Sequence, residues 1–195
     1  MAYFRCKFGE HEPPKERVLY AEFTGLGGIV TNISIDTYKC IYVDFQFDEI
    51  TKDNYACAST YSYSNMGVVC YGGYIKAGNG SGLINLTNEN MSDRHVCYFK
   101  NKRILFDGVD VGSFEEKYVK YKEYVIGRDA SGNASKNFKG RIYEYKVTDR
   151  TGETVYADII PTYINDNGVE RLAFYDIINN VEYTANGMTV KEEYI

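Results

Sequence analysis

Period-two alternation of apolar and polar residues, broken at short intervals by turn sequences, constrains this chain more than any other feature. In residues 40–47 every second residue is apolar, namely Ile41, Val43, Phe45 and Phe47. Such alternation puts the two sets of side chains on opposite faces of a β-strand. No window of helical length holds the period of about 3.6 residues that an amphipathic helix requires. The chain is therefore predicted to be all-β.

Turn sequences separate the predicted strands. Asp107-Gly108 stands between two apolar runs and favours a two-residue hairpin, because both residues tolerate a positive φ. Further turns are predicted at residues 100–102, 149–152, 166–168 and 186–187. Many short strands with frequent turn signals indicate a sandwich or barrel, and 195 residues fit one such domain.

Three local predictions concern less regular segments. Residues 78–82 are expected to form an exposed loop, and residues 115–123 a loop that leads into the strand at 124–127. Pro161 is expected to end the strand that begins at Val155. In the strand 141–147, Tyr143, Tyr145 and Val147 are predicted to share one face.

The N-terminal residues 1–17 differ from the rest and are treated as an arm or tail preceding a sandwich that spans 18–195. Pro13-Pro14 disfavours both helix and central strand, and residues 9–17 are mostly charged. One interpretation is a loose tail; the other is an arm that docks on a neighbouring subunit. The residues that would dock are Tyr3, Phe4, Arg5 and Phe8.

Charge and cysteine usage exclude several function classes. The net charge is −5 without a visible basic patch, so nucleic acid and anionic membrane are not expected as partners. The N-terminus has no signal-peptide pattern, which predicts synthesis in a cytoplasm. Five widely spaced cysteines match neither a disulfide framework nor a zinc pattern, and are expected to be small buried hydrophobes.

Several segments, in order and spacing, resemble the concanavalin A-like (laminin G-like) jelly-roll family. The opening strand 18–25 and the hairpin 105–109 are similar to family elements, and the most specific similarity is C-terminal. It consists of the runs 140–147 (GRIYEYKV), 158–161 (DIIP), 174–176 (FYD) and 181–183 (VEY). The resemblance covers roughly residues 18–188. It implies a two-sheet antiparallel sandwich that is mostly non-catalytic in this family.

The resemblance leaves two functions open. Such domains are common in bacteriophage structural proteins and gut-bacterial surface proteins. The first interpretation is a virion decoration or adhesion protein, present in many copies or as a homo-oligomer, whose partners are other virion proteins or a host-surface glycan. The alternative is a carbohydrate-binding, lectin-like module that acts through its rim loops. A virion component needs residues 1–17 to attach, whereas a free lectin does not.

Catalytic and metal motifs are weak. No strand carries the alternating carboxylates of a sandwich glycosidase, and tryptophan is absent. His95 and Cys97 share a strand face, but the sequence shows no third group to orient the histidine, which is expected to be half-exposed. No enzyme activity and no cofactor are predicted. Rim loops of the family often hold calcium, but the candidate residues are read more simply as turn formers: Asp107, Asp110, Asp166 and Asn167.

A binding surface is the remaining prediction. Tyrosine, serine, glycine and asparagine are concentrated near residues 55–65 and 71–81. Tyrosine offers a large, stiff contact area, whereas Ser, Gly and Asn adapt their hydrogen bonds. The candidate ligand-binding residues are Tyr55, Tyr61, Tyr63, Tyr71, Tyr74, Arg128 and Asn133. The same composition also suits ordinary strands of a tyrosine-rich sandwich.

Overall fold

The computed structural model describes residues 16–17, 20–25, 27–33, 39–48, 54–59, 67–71, 73–79, 82–87, 92–113, 124–127, 138–184 and 188–189. Within these ranges every regular element is a β-strand and every strand pairing is antiparallel. The strands form two sheets, which confirms the predicted all-β sandwich. The same ranges contain no helix long and apolar enough to cross a membrane.

The larger sheet has eleven strands. They are β1 (Glu16–Arg17), β2 (Ala21–Thr24), β4 (Lys39–Phe47), β9 (Arg94–Lys100), β10 (Arg103–Phe106), β11 (Val109–Ser113), β13 (Lys139–Asp149), β14 (Val155–Asp166), β15 (Val169–Asp176), β16 (Val181–Tyr183) and β17 (Met188–Thr189). The main path runs β11-β10-β9-β4-β13-β14-β15-β16. The strand β2 pairs with β13 and β17, and β1 pairs with β14.

The smaller sheet has six strands in the order β3-β12-β5-β6-β7-β8. They are β3 (Ile29–Thr31), β5 (Asn54–Ser59), β6 (Gly67–Tyr71), β7 (Tyr74–Asn79), β8 (Gly82–Thr87) and β12 (Tyr124–Ile126). The predicted exposed loop at 78–82 is therefore wrong in extent, because β7 continues to Asn79 and β8 begins at Gly82. Gly78 is buried opposite Gly67, so neither strand of the β6–β7 pair carries a side chain at this point.

The core lies between the two sheets. The predicted apolar face of β4 is confirmed, since Ile41, Val43, Phe45 and Phe47 are all fully buried. Phe138 packs edge-on against Phe47 at 5.1 Å between ring centroids. The described cysteines are buried and not joined in disulfides, as predicted, and are Cys40, Cys57, Cys70 and Cys97. Burial of these apolar side chains is the main stabilising contribution to such a sandwich.

The hairpins also follow the prediction. Asp107 and Gly108 adopt φ of 50° and 81°, the pair of positive values that a two-residue hairpin needs. Asn101 and Lys102 make the turn between β9 and β10 with φ of 50° and 64°. The predicted turn at 186–187 and the loop at 115–123 lie outside the described residues.

Pro161 does not end its strand, contrary to prediction. The strand β14 runs through it to Asp166, with Pro161 opposite Phe174 of β15. The N–H and the carbonyl of Asp158 both form hydrogen bonds on the β15 side of the strand. Because backbone polar groups alternate between the two edges of a strand, the backbone of Pro161 faces the opposite edge. On that edge the β13 pairing ends at Ile159 and the β1 pairing starts at Thr162. The missing N–H of Pro161 falls in this gap and removes no ladder hydrogen bond.

The predicted N-terminal arm is described only at its end. Glu16 and Arg17 form β1, which pairs with Tyr163 and Thr162 of β14 in the same domain. Tyr3, Phe4, Arg5 and Phe8, the predicted docking residues, lie outside the described residues.

The turn after β13 contains a carboxylate that should titrate at an unusually acid pH. Desolvation acts to raise the pKa of Asp149, but hydrogen bonds from Thr154, Thr151, Gly152 and Glu153 lower it to about 2, against an ordinary value of 3.8. A carboxylate with a depressed folded pKa stabilises the fold above its unfolded pKa. That contribution is lost as the pH falls from about 4 to about 2.

We therefore expect Asp149→Asn to flatten the acid limb of the stability profile. The wild type should lose stability more steeply than the variant between about pH 4 and pH 2, and the two profiles should run parallel above about pH 5. Urea unfolding midpoints measured across this range provide the test. Equal slopes on the acid limb would contradict the assigned role of the turn hydrogen bonds.

Candidate functional site

The outward face of the larger sheet carries a cluster of planar polar and aromatic side chains. Register places Gln46 of β4 opposite Arg94 of β9 on one side and Arg141 of β13 on the other. Neighbours along β4, Phe45 and Phe47, point into the core. Because side chains alternate along a strand, these three polar residues point away from the core.

A β-bulge adds a tyrosine to this face. The register between β13 and β4 shifts between Ile142 and Glu144, which leaves Tyr143 as the extra residue. Tyr143 thereby joins the outward face, whereas Tyr145 and Val147 are fully buried in the core. The prediction that these three residues share one face is wrong, because simple alternation does not reveal a bulge.

Arg94 is held from two directions. Its Nε donates to Asp44 Oδ1 at 2.9 Å and its Nη2 donates to Asp44 Oδ2 at 2.7 Å. The flat guanidinium also lies over the Tyr143 ring, with Cζ 3.9 Å from the ring centroid. A two-point ion pair and a cation–π contact together fix both the plane and the rotation of the group.

Gln46 connects the members of the cluster. Its Oε1 accepts from the Tyr143 hydroxyl at 2.8 Å and from Arg141 Nη1 at 3.1 Å. Its Nε2 donates to the Ser92 carbonyl at 2.7 Å. With both ends of its amide engaged, Gln46 acts as a fixed support for its neighbours rather than as an adaptable ligand group.

Tyr20 completes the arrangement. Its ring lies 5.4 Å from that of Tyr143, and the Arg141 guanidinium lies 5.0 Å from the Tyr20 centroid. Both tyrosines are nearly buried, at 7% and 6% exposure. We call the six residues the Arg94 cluster: Tyr20, Asp44, Gln46, Arg94, Arg141 and Tyr143.

The electrostatics of the Arg94 cluster favour a fixed positive group at its surface. The hydrogen bonds that Arg94 donates to the Asp44 carboxylate raise the pKa of Arg94, which stays charged at every physiological pH. Burial raises the pKa of Tyr143, so its hydroxyl stays protonated. Arg94 is 49% exposed while Asp44 is only 6% exposed. The outer part of the guanidinium is thus presented to solvent on a rigid base.

The structure places three of the predicted binding tyrosines elsewhere, on the smaller sheet. Tyr55 of β5 lies in one register row with Val69 and Lys76, and Tyr71 is opposite Tyr74 in the β6–β7 hairpin. Tyr74 is 39% exposed and the Lys76 ammonium lies 5.8 Å from its ring centroid. Among predicted residues, Tyr61, Tyr63, Arg128 and Asn133 lie outside the described residues.

His95 differs from the prediction in two respects. It is buried rather than half-exposed, stacked on Phe106 at 4.8 Å between centroids. A third group also exists, since His95 Nδ1 lies 2.7 Å from Asp107 Oδ2. Burial raises the pKa of the Cys97 thiol well above its usual value, which disfavours its thiolate form.

The calcium candidates are engaged in local structure. Asp107 accepts from the Val96 N–H at 2.8 Å in addition to its contact with His95. Asp110 accepts both bonds of a bidentate pair from Arg103. Asn167 occupies the positive-φ position of the β14–β15 turn, beside Asp166. In the described part of the chain, no three His, Cys, Asp or Glu side chains are grouped so that they could hold a metal ion.

Sequence reasoning missed the Arg94 cluster although its parts were visible. Both strands, 40–47 and 141–147, are predicted from the sequence, but no binding residue is assigned to either of them. The signal that links them is the pairing of β4 between β9 and β13, which joins residues far apart in the chain. Such long-range register cannot be read from local alternation.

Comparison with known proteins supports the fold. A solved structure described as a putative carbohydrate binding protein from Bacteroides ovatus ATCC 8483 superposes with a TM-score of 0.65 at 14% sequence identity. The match covers 92% of this chain and 61% of that one, so the chain spans less than two thirds of the neighbour. No protein-family model matches the sequence. No curated protein matches it either. At this identity, what the two proteins share is the β-sandwich fold.

Proposed function

We propose that this chain is a non-catalytic carbohydrate-binding domain and that the Arg94 cluster forms its binding surface. The observation that carries the proposal is the fixed, half-exposed Arg94 guanidinium, held by Asp44 and by the Tyr143 ring. Because Nε and Nη2 donate to Asp44, the Nη1 side of the guanidinium points away from that carboxylate. A planar donor pair held in one orientation suits the vicinal oxygens of a sugar ring.

Preorganisation strengthens this proposal. A binding side chain that is already immobile loses little conformational entropy when the ligand arrives, which is worth roughly 0.5–1.5 kcal/mol for a long side chain. Arg94 has this support from Asp44, and Tyr143 has it from Gln46. Supporting contacts of this kind distinguish a built site from a mobile surface arginine.

The structural neighbour points in the same direction. Its name describes carbohydrate binding, and it shares the two-sheet architecture over most of this chain. This favours the lectin-like alternative over the virion role that the sequence resemblance also implied. The contacts of the described residues provide no specific observation in favour of virion assembly.

A non-catalytic role agrees with the state of the carboxylates on this face. Asp44 and Glu144 lie opposite each other in the β4–β13 register, which is the arrangement that a pair of glycosidase carboxylates would need. Asp44 is bound by Arg94, and Glu144 lies 3.0 Å from the Lys146 ammonium. Both carboxylates are thus in direct contact with a cation of the same face.

Binding to polysaccharides, measured by affinity electrophoresis and calorimetry, tests the proposal. Arg94→Ala should weaken the affinity about tenfold or more, because it removes a charged hydrogen-bond donor from a supported site. Arg103→Ala is the matched control: it also removes an arginine that is half-exposed and paired bidentately with an aspartate. Failure of the wild type to bind any polysaccharide, or equal losses in both variants, would falsify the proposal.

A further inference from the structure

The ion pairs on the outward face of the larger sheet share one orientation. In each pair the cation is more exposed than the carboxylate: 49% against 6% for Arg94 and Asp44, and 33% against 11% for Arg171 and Glu182. Lys146 is 32% exposed, above Glu144 and Asp158 at 15% and 14%. In these pairs the cations are thus presented to solvent and the carboxylates lie closer to the sheet.

These pairs occupy one continuous surface. Asp44 lies opposite Glu144, and Lys146 lies opposite Asp158. The Arg94–Asp44 pair and the two ion pairs of Lys146 are therefore adjacent on the sheet. Tyr175 lies opposite both Ile160 and Glu182, which continues the same face onto β15 and β16. The Arg94 cluster is at one end of this surface.

A further cation, Lys100, borders the same surface. Lys100 lies over the Tyr98 ring, with its ammonium 5.6 Å from the centroid, and Tyr98 packs edge-on against Tyr42. Tyr42 and Tyr98 are opposite each other in the β4–β9 register, and Tyr42 is two residues before Asp44 along β4, on the same face. The rings of this pair are inclined at 73° to each other and add aromatic surface beside the cations, of the kind that packs against the CH face of a sugar ring.

We propose that the ligand of this face is an anionic glycan, whose carboxylate or sulfate groups contact Arg94 and Lys146; this inference rests on the proposed carbohydrate-binding function. A ligand that approaches from solvent meets the guanidinium and ammonium groups first and the carboxylates at greater depth. Because the Coulomb energy falls with distance and is screened within about 8–10 Å at physiological salt, the nearer cations dominate.

The overall charge of the chain makes this arrangement informative. A net charge of −5 repels anions at long range, so nonspecific attraction does not explain binding of an acidic glycan. Recognition must instead come from short-range contacts with cations such as Arg94 and Lys146, which are the more exposed partners of their ion pairs. Arg94 offers the fork geometry that matches a carboxylate or sulfate, and Lys146 offers a point charge.

The test compares matched acidic and neutral polysaccharides by calorimetry. Polygalacturonate and its fully methyl-esterified form share one backbone, and esterification replaces each charged carboxylate by a neutral methyl ester. A sulfated galactan against its desulfated form separates sulfate from carboxylate as the anion. We expect at least one acidic member to bind about tenfold or more tightly than its neutral counterpart. Raising the NaCl concentration from about 50 to about 500 mM should weaken the acidic ligand several-fold and the neutral one little.

Charge variants locate the effect. Lys146→Gln should reduce the affinity for the acidic glycan about fivefold while leaving binding of the neutral form unchanged, and Lys146→Arg should restore it. Lys76→Gln, which removes the same charge from the smaller sheet beside Tyr74, should have no effect. Melting temperatures of all variants check that the fold is intact.

The outcomes separate the two proposals. Binding of neutral glycans that is weakened by Arg94→Ala, without preference for acidic ones, overturns this inference and leaves the proposed function standing. Absence of binding to every polysaccharide overturns the proposed function itself. Loss of acidic-glycan binding in Lys76→Gln but not in Lys146→Gln would move the site to the smaller sheet and contradict the assignment made here.

Discussion

Replacement of Gly140 by alanine is expected to destabilise the protein by about 3 kcal/mol or more. A Cβ atom at this position would lie 2.0 Å from the backbone oxygen of Gln46 and 2.7 Å from Phe138 Cζ. The residue also has a φ of +151°, which L-amino acids with a side chain rarely adopt. The carbonyl of Gln46 belongs to the β4–β13 pairing and cannot withdraw without breaking it.

The Gly112→Ala variant separates steric clash from backbone strain. Gly112 has nearly the same φ, +154°, but its Cβ would meet only the Cδ1 end of Ile84, at 2.8 Å. A flexible side-chain tip can move, so this variant should cost roughly half as much or less. Thermal and urea unfolding of both variants give the comparison. Equal losses would show that φ alone, and not the contact with Gln46, determines the effect.

The Gly140→Ala substitution has a second expected consequence. Arg141 follows Gly140 directly, and its Nη1 donates to Gln46 Oε1 across the strand pair that the clash would open. A folded Gly140→Ala protein should therefore bind polysaccharide less well than the wild type, although residue 140 has no side chain to contact a ligand. Calorimetry below the melting transition can measure this loss.

The sequence was sufficient for the fold class and for much of the strand pattern, because both depend on local physics. Alternation along β4 and the Asp107-Gly108 hairpin follow from side-chain period and allowed φ values. The path of β14 through Pro161 was not predictable, since it depends on which neighbouring strand is absent on one edge. Local sequence predicts that a segment is a strand, but the neighbouring strands determine whether a residue such as Pro161 can occupy a given position in it.

The candidate site was less predictable for a related reason. The Arg94 cluster needs three strands in register and one bulge that turns Tyr143 outwards. None of these leaves a local signature, and an arginine beside a tyrosine and an aspartate is common on any surface. By contrast, the tyrosine-rich segments were conspicuous in composition, and composition alone does not distinguish a supported side chain from an ordinary strand position.

Structure also explains two of the short runs on which the family resemblance rests. Asp158 and Asp176 meet across the β14–β15 pair, where the Asp158 N–H donates to Asp176 Oδ1 at 3.2 Å. The Asp158 carboxylate also lies 3.3 Å from Lys146, on the outward face. The runs DIIP and FYD therefore form a structural unit that joins the turn at residues 177–180 to the β14–β15 pair.

Removal of the Asp176 carboxylate is the second large effect that we expect. Asp176 is fully buried, and its Oδ1 accepts from the N–H groups of Asp158, Ile178 and Asn179. Its Oδ2 accepts from Asn179 Nδ2 at 2.6 Å. Asp176→Ala leaves these donors without their acceptor, which should cost about 3 kcal/mol and, for a chain of this size, lower the melting temperature by roughly 6–12 °C.

Asp176→Asn and Asp110→Ala sharpen this prediction. Asparagine keeps the shape and the Oδ1 acceptor but sets an amide nitrogen against Asn179 Nδ2, so it should lose roughly half as much stability as alanine. Asp110 also accepts several hydrogen bonds, two from Arg103 and one from the Gly112 N–H, yet it is exposed. Water replaces these partners in Asp110→Ala, with little change in melting temperature. Equal melting temperatures of Asp176→Ala and Asp110→Ala would contradict the prediction. The turn at residues 176–180 would then not depend on its buried carboxylate, and the FYD run would need another explanation.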